Sequence, residues 1–245
     1  LKYLDLYEDV EFPEPETLFD DYATRGDQMR QQQLTIDRHM GYAFDFKVEE
    51  LKDEPTLQYI HDSWDIAMST LTPEQRRVWD DSYGRKNRDF LADRPEGKEL
   101  LRWKYQRYIH DYCRTIRSVD DQIGRVLDYL EESGLMDNTL IVYTSDQGFL
   151  LGEHGLYDKR FMYEESFRTP LVMRLPGGAR GDIVEMVQNI DYAPTFLELA
   201  GVAVPDDMQG LSLLPLLKGG HPADWRRSLY YHFYEYPAEH MVRRH

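Results

Sequence analysis

Residues 141–159 read IVYTSDQGFLLGEHGLYDK, and this stretch decides the fold. Together with Leu140, the run Ile141, Val142 and Tyr143 is β-branched and apolar enough to be a central, buried strand. Asp146 and Gln147 then emerge at the carboxyl end of that strand, which is where open α/β sheets bind ligands. The Asp146 carboxylate and the Gln147 amide oxygen are donors that a hard divalent cation such as calcium or magnesium prefers. Gly152, Glu153, His154 and Gly155 make a flexible polar loop able to return Lys159 to the same cleft. A cation and a lysine converging on one point would enclose an anionic group. The alternative reading of the same residues is a strand followed by a surface loop whose polar side chains are satisfied locally.

Working outward, Leu101, Tyr105, Tyr108, Ile109, Tyr112 and Ile116 recur at helical spacing, and the stripe continues to Leu130. This predicts a long amphipathic helix over roughly Glu96 to Glu132, ended by Ser133-Gly134. Thr72-Pro73-Glu74-Gln75 has the form of a helix start with a capping box, for a helix reaching about Asp89. Residues 1 to about 55 are rich in Pro, Asp and Glu without sustained periodicity, so loops and short helices are expected there. Downstream, strands are predicted at 139–145 and 170–175, a short one near 183–188, and a helix at 191–200. Strands alternating with helices imply an α/β fold with a mainly parallel sheet flanked by helices. Residues 1–220 form its main body. Lys218 to Trp225 reads as a connector to a small antiparallel subdomain beginning at about 221–245, where Ser228 to Tyr236 alternates like a strand.

SDQG, LGEHG, the lysine four positions beyond it, YEES with Arg168, and TPLVMRLPG occur in the order found in the carboxy-terminal half of the type I sulfatases, members of the alkaline phosphatase superfamily. NIDYAPTFLELAG and GLSLLPLLKG, at Asn189 and Gly210, extend the resemblance over most of the chain from about Gly97 onward. The resemblance implies that Asp146 and Gln147 are calcium ligands, with magnesium the weaker alternative, and that Lys159 contacts sulfate. It makes His154 a supporting residue of the catalytic loop. Gln147 departs from the family, which mostly carries Asn there and sometimes His, although its carbonyl can coordinate in the same way. Arg168, His240 and Arg243 are candidates for sugar contact, the last two by similarity to N-acetylglucosamine-6-sulfatase-like enzymes. For Arg168 a solvated helical pair with a nearby glutamate competes with that role, and for the terminus a frayed charged tail does.

The family nucleophile is a formylglycine made from Cys or Ser in a C-x-P-S-R or C-x-A-S-R context. Cys113, the single cysteine, sits in Cys113-Arg114-Thr115-Ile116-Arg117, which lacks the required third and fourth residues. It also falls on the apolar stripe, the place of a small core residue. The formylglycine is therefore expected upstream of Leu1, and the chain is expected to be the interior of a longer enzyme missing its amino-terminal half. In the complete enzyme the resemblance implies attack of the formylglycine hydrate on sulfate sulfur, departure of the sugar alcohol, and elimination of sulfate to restore the aldehyde. Alone, the chain is expected to be inactive.

A length of 245 residues with 41% hydrophobic and 13% aromatic content can supply a sizeable core. No apolar run approaches the ~18 residues of a membrane-spanning helix. A net charge of −16 argues against nucleic acid as a partner. It also favours a small positive pocket for a sulfated carbohydrate over a basic groove for a polymer. The leading expectation is a sulfuric ester hydrolase acting on an amino sugar 6-sulfate, periplasmic or secreted as such enzymes commonly are. The rivals are a phosphodiester or phosphonate hydrolase of the same superfamily and a non-catalytic binding fragment.

Overall fold

The computed structural model describes residues 1–55 and 58–231, with backbone only for Gln58 and Tyr59. The chain divides into two compact units, one comprising Leu1–Arg125 and Phe149–Ser166, the other Val126–Gly148 and the described residues from Phe167 on.

The first unit starts with 55 residues of turns that contain only the five-residue helix α1 (Asp27–Gln31) and a 3₁₀ turn at Glu49–Leu51. Three long helices follow: α2 (Gln58–Ser69), α3 (Pro73–Ala92) and α4 (Gly97–Glu132). The expected capping box opens α3. The Thr72 hydroxyl accepts from the Gln75 amide at 3.2 Å, and Gln75 Oε1 accepts from the Thr72 amide at 2.9 Å. The helix α4 closes as Ser133-Gly134 requires. Leu135 N–H reaches Leu130 O at 2.9 Å and Gly134 N–H reaches Glu131 O at 3.0 Å, the paired bonds of a Schellman ending.

Leu18, Leu34, Ile36, Phe46, Tyr105, Ile109, Leu150 and Leu156 are buried in one core. Cys113 packs partly buried against that core, and burial pushes its thiol pKa up. An inert core thiol is what its place on the stripe predicts. The irregular amino-terminal segment has few ladder partners, so its carbonyls must bond elsewhere. Basic side chains of α4 supply the donors. Lys104 Nζ donates to Asp37 O at 2.5 Å, Arg107 Nε to Phe46 O at 2.8 Å and Arg114 Nε to Leu6 O at 2.8 Å. All three side chains are buried. Burial pulls the Lys104 ammonium down to about 8, the direction expected of a desolvated cation. Beyond Cys113 the apolar stripe is only partly covered, with Ile116 and Val119 each 45% exposed and Ile123 and Leu127 half-buried.

The strands depart from the expected pattern. In the second unit β1 (Ile141–Thr144) pairs antiparallel with β4 (Leu171–Arg174), Val142 facing Met173 and Tyr143 facing Val172. In the first unit β2 (Leu150–Leu151) pairs antiparallel with β3 (Tyr157–Asp158). Among the described residues these two-stranded ladders are the sheets, and neither is parallel. Parallel neighbours need a crossover, usually a helix. The one α-helix in the chain between β1 and β4 is the four-residue α5 (Glu164–Phe167), too short for a crossover. Residues 183–188, expected as a short strand, form none. They meet side chains instead of a ladder: Trp225 Nε1 donates to Met186 O at 2.8 Å. Residues 228–231 are likewise not in a strand, and the rest of the expected carboxy-terminal strand lies outside the described residues.

The predicted helix at 191–200 is α6 (Tyr192–Leu199). Leu213, Leu216 and Leu217, on and beside α7 (Leu214–Leu217), pack against Leu171, Met173, Leu175, Val187, Tyr192 and Trp225. Alternation along β4 sends Leu171 and Met173 into this core and leaves Val172 exposed.

Candidate functional site

In the second unit, β1 ends at Thr144, whose hydroxyl shares a 2.9 Å hydrogen bond with Tyr192 OH. Ser145 then tightens the turn, its hydroxyl donating to Gln147 O at 2.7 Å and accepting from Gln147 N–H at 3.4 Å. Asp146 is exposed and Gln147 half-buried. Among the described residues the Asp146 carboxylate meets only a 3.5 Å contact from the Ser145 hydroxyl, while its backbone carbonyl accepts from Asn189 Nδ2 at 2.8 Å. Asn189 opens the 3₁₀ turn Asn189–Asp191, and Asp191 is fully buried. Asp191 Oδ2 accepts from Gln188 N–H at 2.7 Å, Oδ1 accepts from Leu211 N–H at 2.8 Å, and the guanidinium of Arg226 binds both oxygens. At Gly210 an added Cβ would lie 2.0 Å from Ile190 O, so only glycine lets the chain pass this close. Arg168 lies one residue past α5, exposed, in this same unit. His240 and Arg243 lie outside the described residues.

His154 and Lys159 belong to the first unit. The LGEHG loop is held there by the amino-terminal segment. His154 N–H donates to Thr17 Oγ1 at 2.8 Å, His154 O accepts from Tyr22 OH at 2.5 Å, and Nδ1 lies 2.9 Å from Asp20 Oδ2. A carboxylate can only accept, so Nδ1 carries the proton and, in the neutral ring, Nε2 is left as the acceptor. The imidazole stacks on Tyr163 at 4.4 Å between centroids, and Arg25 Nε donates to Tyr163 OH at 3.3 Å. Gly155 has φ +65, and an added Cβ would meet Leu18 O at 2.8 Å, which explains why the motif ends in glycine. Burial and then the neighbouring Asp20 charge push the Tyr22 phenol well above its usual range, keeping it a donor.

Lys159 follows β3 with its side chain about one-third exposed, Nζ 3.7 Å from Asp158 Oδ1, while Arg160 reaches Asp158 Oδ2 at 3.4 Å. Its two neighbours have left-handed backbones, φ +68 at Asp158 and φ +136 at Arg160. Non-glycine residues in such conformations cost on the order of 1–3 kcal/mol each, and they cluster at functional positions.

Residues 152–245 match the family described as N-sulphoglucosamine sulphohydrolase, C-terminal. The chain is 46% identical to the N-acetylglucosamine-6-O-sulfatase of Bacteroides thetaiotaomicron, over 100% of this chain and 44% of that protein. A solved structure of a protein in complex with its substrate, D-glucosamine-2-N,6-O-disulfate, superposes with a TM-score of 0.86 at 44% identity. The match covers 98% of this chain and 49% of that one. The chain belongs to the sulfatase family. Over a shorter stretch, 50% of this chain and 24% of the other, it is 47% identical to the multifunctional alkaline phosphatase superfamily protein PehA of Trinickia caryophylli. This sulfatase chain thus spans less than half the length of each of these relatives. The likeness extends over the whole chain from Leu1.

Whether a sulfatase cation fits can be judged from the donors. Asp146 and Gln147 are adjacent hard oxygen donors, and the carboxylate has no ion-pair partner among the described residues. Calcium takes six to eight oxygens, so two residues make only part of a shell. Among the described residues no cluster of three or more His, Cys, Asp or Glu is arranged to enclose a metal.

Asp20, Tyr22, Tyr163, Asn189, Asp191 and Arg226 were not singled out by sequence. NIDYAPT was visible as a motif, but nothing in it tells that Asp191 pairs with an arginine 35 positions later. The Asp20–His154 contact makes a pH prediction. Burial pushes the Asp20 carboxyl up, but the His154 bond, the Tyr22 amide and the Arg25 charge outweigh it and hold its pKa below the usual value. A depressed folded-state value stabilises fully above the unfolded pKa, near 3.9, and the contribution is lost as pH falls through the folded value. Asp20→Asn in the complete protein is expected to cost about 1.5 kcal/mol at neutral pH. That gap should close on acidification below about pH 4. Urea unfolding from pH 3 to 7 checks it, and a gap that widens in acid contradicts it.

Proposed function

We propose that the complete protein is a formylglycine-dependent sulfatase that removes the 6-sulfate of an amino sugar within a sulfated carbohydrate, outside the cytoplasm in the periplasm or after secretion. The observation that carries this reading is identity of 46% across the whole chain to an N-acetylglucosamine-6-O-sulfatase. In this reading residues 1–220 contribute the carboxy-terminal part of the catalytic domain, residues 221–245 begin a small subdomain, and β1 joins a mainly parallel sheet completed by the remainder of the protein. Asp146 and Gln147 hold calcium, which supplies positive charge to orient the nucleophile and offset charge on sulfate oxygens. Lys159 places its ammonium on the sulfate, where negative charge shifts as the S–O bond breaks. His154, its Nδ1 proton held by Asp20, presents Nε2 as an acceptor at the loop. Arg168, with His240 and Arg243, contacts the sugar. The net charge of −16 suits a small positive pocket of this kind.

A phosphodiester or phosphonate hydrolase is the second reading. It draws on the match to the multifunctional superfamily protein, which spans only half of the chain. The test is to assay the complete protein on N-acetylglucosamine 6-sulfate and on a phosphonate monoester. Multiple turnovers on the sulfate are expected, with none by purified 1–245 alone, and preference for the phosphonate would reverse the assignment. Calcium titration of Asp146→Ala and Gln147→Ala in the complete protein should show weaker binding in both, with Asp146→Ala the worse because a charge is lost. Unchanged affinity in both removes them from the metal site.

A further inference from the structure

The second unit contains a buried brace behind the residues proposed to hold calcium. Four bonds converge on Asp191: Gln188 N–H and Leu211 N–H at 2.7 and 2.8 Å, and two from Arg226. Its carbonyl accepts from Thr195 Oγ1 at 2.6 Å, and the same Thr195 oxygen accepts from Leu213 N–H at 2.8 Å. These bonds pin the turn Asn189–Asp191 from both sides and tie it to the start of α6. Gly210 seats the returning chain directly against Ile190. Asn189 is therefore carried on a rigid support, although the residue itself lies at the edge.

From that support the Asn189 amide reaches across 43 positions of sequence to donate to Asp146 O at 2.8 Å. The acceptor is the backbone of the residue whose carboxylate is the proposed ligand. Among the described residues the other hydrogen bonds of the turn are short-range, from the Ser145 hydroxyl to Gln147 O and from Gln147 N–H back to it, and from the Thr144 hydroxyl to Ser145 O at 3.3 Å. A turn held only by such neighbours can rotate as a body about the end of β1. The Asn189 bond adds a fixed point from outside the turn.

Resting on the calcium reading, we infer that Asn189 is a positioning residue for the metal. Braced by the Asp191–Arg226 pair, its side-chain N–H fixes the backbone of Asp146 and hence the direction in which the carboxylate meets the cation. Groups that orient metal ligands without touching the metal typically change affinity by about 10- to 100-fold when removed.

The experiment is isothermal calorimetry with calcium chloride on the complete protein, wild type and three variants, beside melting of each in EDTA. Asn189→Ala removes the donor, and Asn189→Asp removes it at nearly constant shape. Both are expected to weaken calcium binding about 10-fold or more while leaving the calcium-free melting midpoint near wild type. Asp146→Ala, in the same series, should lose calcium more completely. If both Asn189 variants stay within about twofold of wild type while Asp146→Ala loses calcium, the positioning role is overturned and the metal assignment stands. If calcium-free melting drops along with affinity in both Asn189 variants, Asn189 is a structural residue and the inference fails. If Asp146→Ala binds as wild type does, the calcium reading fails and the positioning role falls with it.

Discussion

Replacing Lys159 with alanine in the complete protein is expected to lower kcat on an amino sugar 6-sulfate by about 10²–10³, with KM moving much less. The expectation follows from the proposed role. An ammonium aimed at the sulfate matters most as charge shifts to its oxygens during S–O cleavage, so its loss is felt in the transition state more than in the ground state. The surroundings fit a group held for chemistry. Lys159 lies between two left-handed non-glycine residues, and Asp158, which pairs with Leu150 in the β2–β3 ladder, holds Nζ at 3.7 Å. The side chain is partly exposed and contributes little to the core, so the calcium-free melting midpoint should hardly change. Steady-state kinetics with a melting control decide it. A kcat within about threefold of wild type would remove Lys159 from the sulfate site.

The second large effect is on stability. Asp191→Ala should destabilise the protein by about 3–5 kcal/mol, because it strands the nearly buried guanidinium of Arg226 without its carboxylate. The Gln188 and Leu211 amides lose their acceptor in the same change. Replacing both partners should cost less than replacing Asp191 alone, since Asp191→Ala with Arg226→Met leaves no unpaired charge. Urea unfolding of the two variants makes the comparison. A cost under about 1 kcal/mol for Asp191→Ala would mean that solvent reaches the pair and that the brace is weak.

The helices could be read from the chain because their signals are local. The Thr72–Gln75 box, the Ser133-Gly134 ending and the apolar spacing around Tyr105 and Ile109 each act within a turn or two of their own residues. Cys113 followed from the same spacing. The strands were harder. Ile141 to Thr144 and Leu171 to Arg174 were placed to within about two residues, but a strand's partner and direction depend on the path of the chain between, and here that path lacks a crossover helix. Residues 183–188 carry an apolar, β-branched run but adopt no strand, because a strand exists only where a neighbour offers a ladder.

By itself the sequence determined the chemical inventory of this protein: an acid and an amide after a strand, the LGEHG loop, a lysine four residues on, and an order of motifs that identifies the sulfatase family. Those depend on residue type and spacing along the chain, which tertiary structure does not alter. Only the tertiary structure decided what holds these groups. Asp20 orients His154 from 134 positions away, Asn189 anchors Asp146 from 43, and Arg226 secures Asp191 from 35. Such contacts leave no periodic trace, because a single hydrogen bond between distant residues requires only that folding bring a donor and an acceptor to within about 3 Å.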